Sequence, residues 1–298
     1  MGNYPRDIME FEKQFSSEQE CIKYLFDLRW PDFKCSKCSN NKVWITKRGL
    51  CRCSKCRWEI SVKAGTIFQD SKKPLQWWFR AIWYITNQKH GISALGLQHA
   101  LGIGNYHTAW EWLYKLRHAM VRPGRDRIFG TIEVDEAYVG GKKTGKRGRG
   151  SEDKVLIVIA AQIDGRRIGR IRLRRIPDAS GDSLNPAIKE TIEPGSTVIT
   201  DGWEGYSKVE TFGYTHKVAK KEGFVGENLL PRCNMVASLL KRWLLGTHHG
   251  RAQNLDYYLD EFTFRFNRRT SKSRGMLFYR LIQHAIMINP VHVKNLTS

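Results

Sequence analysis

The sequence predicts a mixed α/β protein in which small modules precede a larger sheet domain. Three observations support this fold class. Five of the seven cysteines lie within residues 35–56, a helical pattern covers residues 74–120, and strand-like and helical runs follow from residue 131 onward. A chain of 298 residues is long enough for about two domains, each with its own core.

The charge balance indicates what the protein binds. The chain carries 50 Lys and Arg against 29 Asp and Glu, a formal net charge of +21. Such an excess favours nucleic acid, because the release of counterions drives binding by basic proteins. An anionic membrane is the rival partner, but there is no run of 18 apolar residues, and Arg6 stands where a myristoylation pattern has Ser or Thr. We therefore expect a soluble, cytoplasmic protein that joins the nucleoid when it binds double-stranded DNA.

Two cysteine pairs predict a structural zinc site. Each CSKC turn directs two thiolates toward one point, and two such turns complete a tetrahedral Zn²⁺ site with no open position. The expected ligands are Cys35, Cys38, Cys53 and Cys56. Free buried thiols are the alternative, and Cys51 is a competing ligand. We prefer Cys53 because it restores the two-residue spacing within the pair.

A helix-turn-helix is predicted where GISALGLQHALGIGNYHTAWEWLYKLRHAM contains two helices joined by a Gly turn. Ser93 and Asn105 are suitable N-caps. In this motif the N-terminal end of the second helix enters the major groove of DNA. An ordinary helical hairpin shows the same pattern, but the basic charge and the neighbouring cysteine module favour DNA binding. The candidate contacts with DNA are Asn105, Tyr106, His107, Glu111 and Lys115.

The second half of the chain predicts a mixed sheet with helical cover. Three strand-like runs, IEVDEAYV, KVLIVIAAQID and RRIGRIRLRRI, are followed by a helix at residues 182–192 and by the strand STVITD. Two long helical patterns then close the chain. This order of strands and helices is the one found in ribonuclease-H-like nuclease domains.

Carboxylates occur where such a sheet would hold metal ions. In an extended segment Glu133 and Asp135 project from one face, and Asp201 ends a separate strand. Aspartates on neighbouring strands suit Mg²⁺, and two such ions can activate water and stabilise a leaving oxygen in phosphodiester cleavage. Solvated or capping carboxylates at strand ends are the alternative from these residues alone.

Several segments closely resemble a group of bacterial insertion-sequence transposases. That group joins an N-terminal zinc ribbon and a helix-turn-helix to a ribonuclease-H-like DDE-type catalytic domain. The resemblance runs from about residue 20 to about residue 285. The segments that carry it are TIEVDEAYVGGK, VITDGWEGY, LLKRWLLGTHHG, LDYYLDEFTFRFNRR and, after the cysteines, GTIFQDSKKPLQWWFRAIW.

The resemblance implies a function. The protein would bind the terminal inverted repeats of its element, cleave strands with Mg²⁺ or Mn²⁺, and transfer the freed 3′ ends into target DNA. A homo-oligomer assembled on DNA is expected. The implied boundaries are a helical segment at 1–30, a zinc ribbon at 31–70, a helix-turn-helix module at 71–122 and the catalytic domain at 126–290.

The same resemblance makes Asp135 and Asp201 the first two catalytic carboxylates. At the third position the chain reads LPRCNMVASLLKRW, without a Glu. Members of the group are known with Asn there and Lys further along the helix, so Asn234 and Lys241 are expected in these roles, with Asn234 as a third magnesium ligand. The alternatives are that Asn234 only caps its helix, or that Glu261 on the next helix is the ligand.

Two other functions fit parts of the sequence. A catalytically inactive DNA-binding regulator would reuse the ribbon and the helix-turn-helix, and the missing Glu keeps this alternative open. A general nuclease or junction resolvase would share the sheet without needing the N-terminal modules. The basic loop GGKKTGKRGRG, after the first aspartate, is expected to order on a phosphate backbone.

Overall fold

The computed structural model of the protein describes residues 4–122, 124–140, 154–219, 228–248 and 255–290. The loop expected to contact phosphates, at 141–150, lies outside this part. The helices are α1 Ile8–Gln14, α2 Glu18–Arg29, α3 Leu75–Asn87, α4 Ala94–Leu101, α5 Tyr106–His118, α6 Gly181–Thr191, α7 Pro231–His248, α8 Leu255–Phe266 and α9 Arg274–Ala285. The strands are β1 Val43–Ile45, β2 Cys51–Cys53, β3 Glu59–Ile60, β4 Thr131–Val139, β5 Val155–Asp164, β6 Arg167–Ile176, β7 Thr197–Thr200 and β8 Thr215–Val218. None of the described helices is long and apolar enough to cross a membrane.

The chain divides into two compact units, one formed by residues 1–123 with 271–298 and the other by residues 124–270. The second unit ends at residue 270, whereas the sequence predicts a catalytic domain that extends to residue 290. Helix α9 belongs to the first unit because its apolar face packs there. The ring of Phe278 lies edge-on against Phe11 and Trp83, at centroid distances of 5.4 and 5.7 Å.

The first unit has an aromatic core. Trp78 of α3 stacks on Trp112 of α5 with ring centroids 4.1 Å apart. Helix α2 begins with a capping box between Ser17 and Glu20. The Glu18 carboxylate accepts hydrogen bonds from the first backbone N–H groups of α3, at Leu75 and Gln76. A side chain of one helix thus caps another, which fixes α3 against α2.

The second unit is built on one sheet with the strand order β6-β5-β4-β7-β8. Strands β4, β5 and β6 pair antiparallel, whereas β4–β7 and β7–β8 pair parallel. This is the mixed, ribonuclease-H-like sheet that the sequence predicts. Apolar residues cover both faces, with α6 on one side and α7 and α8 on the other. Strand β8 was not predicted, because its residues THKV show no apolar alternation.

Candidate catalytic and metal-binding sites

The four cysteines of the two CSKC turns lie together in the first unit. Their sulfur atoms are all within 4.8 Å of one another. The Sγ atoms of Cys35 and Cys56 are 3.5 Å apart, and those of Cys38 and Cys53 are 3.6 Å apart. Tetrahedral zinc with Zn–S bonds of about 2.3 Å separates its sulfurs by about 3.8 Å. The cluster therefore fits Zn²⁺ and provides all four ligands.

The two turns have the same backbone geometry. The residue after the second cysteine of each pair, Ser39 or Arg57, adopts a positive φ of 56° or 63°. In both turns its N–H donates to the carbonyl of the first cysteine, Cys35 or Cys53. The N–H of Cys56 lowers the pKa of Cys53 to about 6, which favours the thiolate form that zinc binds.

Cys51 lies outside this cluster of sulfurs. It is buried on β2, and burial raises the pKa of its thiol to about 11. A thiol with such a pKa stays protonated at neutral pH and serves as an apolar core residue. The geometry thus agrees with Cys53 rather than Cys51 as the ligand.

The helix-turn-helix pattern corresponds to α4 and α5. The predicted caps are present: the Ser93 hydroxyl accepts from the N–H of Gly96, and the Asn105 Oδ1 accepts from the N–H of His107. Gly102 ends α4 in the left-handed conformation, with φ of 62°. The short turn between the helices is therefore encoded locally by two caps and one glycine.

The candidate DNA contacts differ in how far their side chains already interact with other residues of the protein. Tyr106 is 52% exposed at the start of α5. His107 is also exposed, but its Nε2 lies 3.2 Å from Glu111 Oε1, and its ring stacks on Trp110. Lys115 is half-buried, and desolvation lowers its pKa. Tyr106 and His107 are thus the residues of this set that α5 presents at its N-terminal end.

Asp135 and Asp201 come together at one end of the sheet in the second unit. The parallel register of β4 and β7 pairs Glu133 with Ile199. Continuing it by two residues places Asp135 beside Asp201. Burial raises the pKa of Asp135 to about 6, and the negative charges of Glu136 and Asp201 add to this effect. A divalent cation would relieve this repulsion, so the donor set fits Mg²⁺ or Mn²⁺.

The loop after β7 holds Asp201 in a fixed position. Its Oδ1 accepts a hydrogen bond of 3.0 Å from the backbone N–H of Trp203. Gly202 has a φ of 84°, and a Cβ there would lie 2.7 Å from Val218 Cγ1. Glycine is therefore required between the aspartate and the tryptophan.

Glu133 has a role that the sequence did not indicate. It shares a face of β4 with Asp135, as predicted, but it is only 3% exposed. Its Oε2 accepts from the backbone N–H groups of Arg232 and Cys233, at 2.7 and 3.1 Å, and its Oε1 pairs with Arg232 Nη1 at 2.9 Å. Glu133 therefore caps the N-terminus of α7 and attaches it to β4.

Asn234 lies in the first turn of α7 and is exposed. Its Nδ2 donates to Asn228 Oδ1 at 2.5 Å, so it is not the residue that caps the helix. The preceding Cys233 contacts the carbonyl of Ile159, the residue paired with Asp135. This contact places the first turn of α7 over β5, next to the position of Asp135 on β4. Lys241 is exposed two helical turns further on.

Glu261, the competing third ligand, lies inside α8. It is fully buried, and its Oε1 accepts a hydrogen bond of 2.8 Å from Arg265 Nε. The neighbouring Asp260 lies 3.9 Å from Arg174, and burial raises its pKa to about 6. Both carboxylates thus have basic partners within the described part of the second unit.

Comparison with protein families agrees with this arrangement. Residues 16–59 match the transposase zinc-ribbon domain, and residues 127–267 match the ISXO2-like transposase domain of the DDE type. Together these matches span more than half of the chain. The chain belongs to the insertion-sequence transposases that join a zinc ribbon to a DDE domain.

A curated relative of this transposase is the uncharacterized protein in transposable element ISH50 of Halobacterium salinarum. The two are 25% identical over 280 residues, which cover 85% of this chain and 92% of the relative. Among solved structures, a chain of the simian T-cell lymphotropic virus intasome in complex with PP2A regulatory subunit B56 gamma aligns with 63% of this transposase and 70% of its own length. Its identity is 15% and its TM-score is 0.33.

Two features of this transposase were missed from sequence. The carboxylate of Glu133 accepts hydrogen bonds from backbone N–H groups 99 and 100 residues further along the chain. No local sequence pattern predicts such long-range hydrogen bonds. The available signal was Leu230 before Pro231, because Pro231 marks a helix start and Leu230 has no side-chain acceptor to cap it. Trp203 is the second feature, and its indole Nε1 donates to the carbonyl of Ala179 at 2.8 Å.

Proposed function

We propose that this transposase is catalytically active: it binds the ends of its element, cleaves DNA strands with Mg²⁺ or Mn²⁺, and transfers 3′ ends into target DNA. The observation that carries the proposal is the closeness of Asp135 on β4 to Asp201, the residue that follows β7. An inactive DNA-binding protein has no need to keep Asp135 half-buried beside Asp201, where burial and, to a smaller extent, the neighbouring carboxylates raise the pKa of Asp135.

The ligands of the catalytic metal would be Asp135, Asp201 and the Oδ1 of Asn234. When bound, the metal would activate the attacking water or hydroxyl and stabilise the leaving oxygen of the phosphodiester. Glu133 supports this set by fixing α7, and therefore Asn234, to the strand that carries Asp135. Lys241, on the same side of α7 as Asn234, would hold a DNA phosphate as a point charge.

DNA recognition is assigned to the first unit. The N-terminal end of α5 would enter the major groove, where Tyr106 and His107 face the bases, while basic residues such as Lys115 contact phosphates. Zinc has a structural role because the four thiolates leave no open ligand position. Two element ends must be joined to one target, so we also propose that the transposase acts as a homo-oligomer on DNA.

The test uses Asp135→Asn and Asp201→Asn. Each variant should lose more than about 100-fold of the Mg²⁺-dependent cleavage, because even outer-shell partners of metal ligands cost 10- to 100-fold. Binding should stay equal or become tighter, since a negative charge near phosphates is removed. The substrate is a duplex from the inverted repeats that flank the gene, with cleavage followed on sequencing gels and binding by gel shift.

Asp164→Asn is the matched control, because Asp164 is exposed at the β5–β6 turn, at the other end of the sheet. It should cleave like the wild type. A wild-type protein that binds element ends without cleaving them in Mg²⁺ or Mn²⁺ would instead be the DNA-binding regulator.

A further inference from the structure

A cavity of about 370 Å³ lies in the second unit, lined in part by Trp203 of the loop that carries Asp201. Its walls include two aromatic side chains, Tyr138 and Trp203, together with the apolar Leu156 and Pro177, and Lys154 lies at its edge. The volume is within the range of about 300 to 1,000 Å³ that is usual for small-molecule pockets. The cavity thus combines aromatic and apolar walls with one cation, Lys154, and one carboxylate, Asp178.

The backbone connects this cavity directly to the candidate catalytic site. Trp203 is two residues after Asp201, and its N–H holds the carboxylate of that residue. Tyr138 follows Asp135 by three residues on β4, so by strand alternation it projects from the opposite face. The aspartates and the cavity therefore lie at the same end of the sheet, where the central strand separates them.

The walls of the cavity are held in place before any ligand binds. The Trp203 indole is tied to the carbonyl of Ala179, while its ring remains 37% exposed. On the adjoining turn, the Asp178 carboxylate accepts hydrogen bonds from the N–H and hydroxyl of Ser180 and from the hydroxyl of Ser183. This preorganisation lowers the entropic cost of binding a flat ligand.

We propose that this cavity takes up an unstacked nucleobase from a nucleotide next to the scissile phosphate. The proposal rests on the proposed function and adds a DNA contact to it. Aromatic walls accept the π-face of any base, and enzymes that act on DNA obtain selectivity by extracting a base from the duplex. The carboxylate of Asp178 disfavours a phosphate inside the cavity, whereas Lys154 at the edge can pair with the phosphate of the extracted nucleotide.

The test separates stacking of a base on the Trp203 ring from the hydrogen bond that the Trp203 indole donates to Ala179. Trp203→Ala removes both, whereas Trp203→Phe keeps an aromatic ring but loses the hydrogen bond to Ala179. Neither change touches the backbone N–H that holds Asp201. Because base–aromatic stacking is worth roughly 5- to 100-fold in affinity, Trp203→Ala should weaken cleavage of an inverted-repeat duplex by that factor, and Trp203→Phe should retain most of it.

The decisive measurement places one abasic nucleotide at successive positions around the cleavage point. If a base occupies the cavity, the defect of Trp203→Ala should shrink to less than about 2-fold when that base is missing, because the two losses are coupled. It should persist at the other positions. Phe129→Ala is the control, because Phe129 is 57% exposed and precedes β4 at the opposite end of the strand from Tyr138.

Two results would overturn the proposal. One is a Trp203→Ala defect that is the same on every abasic duplex. The other is an equal defect in Trp203→Phe, which would mean that cleavage depends on the hydrogen bond to Ala179 and not on stacking of a base. In both cases cleavage that still depends on Asp135 and Asp201 leaves the proposed function intact. A wild-type protein that cleaves no duplex at all removes the proposed function and this proposal together.

Discussion

The sulfur cluster and the pair of aspartates are built in opposite ways. All four sulfur ligands come from residues 35–56, from two turns that repeat the same motif and the same backbone bend. The aspartate site draws on β4, the end of β7 and the start of α7, which the sequence separates by about a hundred residues. A site that one short segment encodes can be predicted from spacing, whereas a dispersed site becomes visible only in the folded sheet.

The two sites also differ in what a metal would contribute. The ribbon strands β1, β2 and β3 are two or three residues long, and a segment of this size buries too little apolar surface to fold alone. The sheet of the second unit has apolar clusters on both faces. We therefore expect zinc to supply folding free energy in the ribbon, and the catalytic metal to supply chemistry without supporting the fold.

The largest expected effect is on zinc. Cys56→Ser should release about one zinc ion per chain, measured by metal analysis, and should make residues 31–60 sensitive to proteases. Structural zinc contributes about 10 to 16 kcal/mol in small modules, far more than the ribbon strands can replace. The second unit should keep its resistance to proteolysis.

Cys51→Ala is the matched control for this prediction. It removes a cysteine from the same strand as Cys53 but outside the sulfur cluster, so zinc content should be unchanged. Full zinc content in Cys56→Ser, or loss of zinc in Cys51→Ala, would contradict the ligand set.

The second-largest effect is expected at Glu133, which supports the aspartate site by holding α7 on β4. Glu133→Ala leaves two backbone N–H groups of α7 without their acceptor, while Arg232 keeps its hydrogen bond to the carbonyl of Gly165. The free energy of unfolding should fall by about 3 kcal/mol, measured by urea denaturation. Glu133→Gln retains an acceptor and should lose about 1 kcal/mol.

Cleavage distinguishes this role from metal ligation. Glu133→Gln should lower cleavage by no more than about 10- to 100-fold at an unchanged Mg²⁺ requirement, because outer-shell changes cost that much. A Glu133→Gln protein that is as stable as the wild type but needs far more Mg²⁺ would make Glu133 a ligand. Asp135→Asn provides the reference for such a loss.

The same contrast explains how much could be predicted from sequence. The strands β4 to β7, the caps Ser93 and Asn105, and the closeness of Asp135 to Asp201 follow from alternation, capping residues and strand ends. The amphipathic pattern of α9 shows which residues are buried but not which unit they pack against. Asn105 is expected both to cap α5 and to contact DNA; the cap is present, and the DNA contact stays a prediction. Local chemistry could thus be read correctly, whereas long-range partners could not.

The smallest expected effect lies at the third position of the dispersed site. Asn234→Ala should lower cleavage by about 10- to 100-fold and raise the Mg²⁺ concentration required, because it removes one neutral oxygen ligand. Lys241→Ala should lower strand transfer by a similar or smaller factor with little change in metal requirement, since it contacts phosphate only. Titration of Mg²⁺ against cleavage rate separates the two variants.

Glu261→Gln decides between the two candidate positions on α7 and α8. Glu261 is fully buried against Arg265, so this change should lower the free energy of unfolding by about 1 to 3 kcal/mol without altering the Mg²⁺ requirement. Asn234 is exposed near Asp135, so Asn234→Ala should show the opposite pattern. Its free energy of unfolding should be unchanged, and its Mg²⁺ requirement should be altered. If the two patterns were exchanged, the third ligand would lie on α8. The contact between Cys233 and Ile159 would then position a helix that takes no part in binding metal.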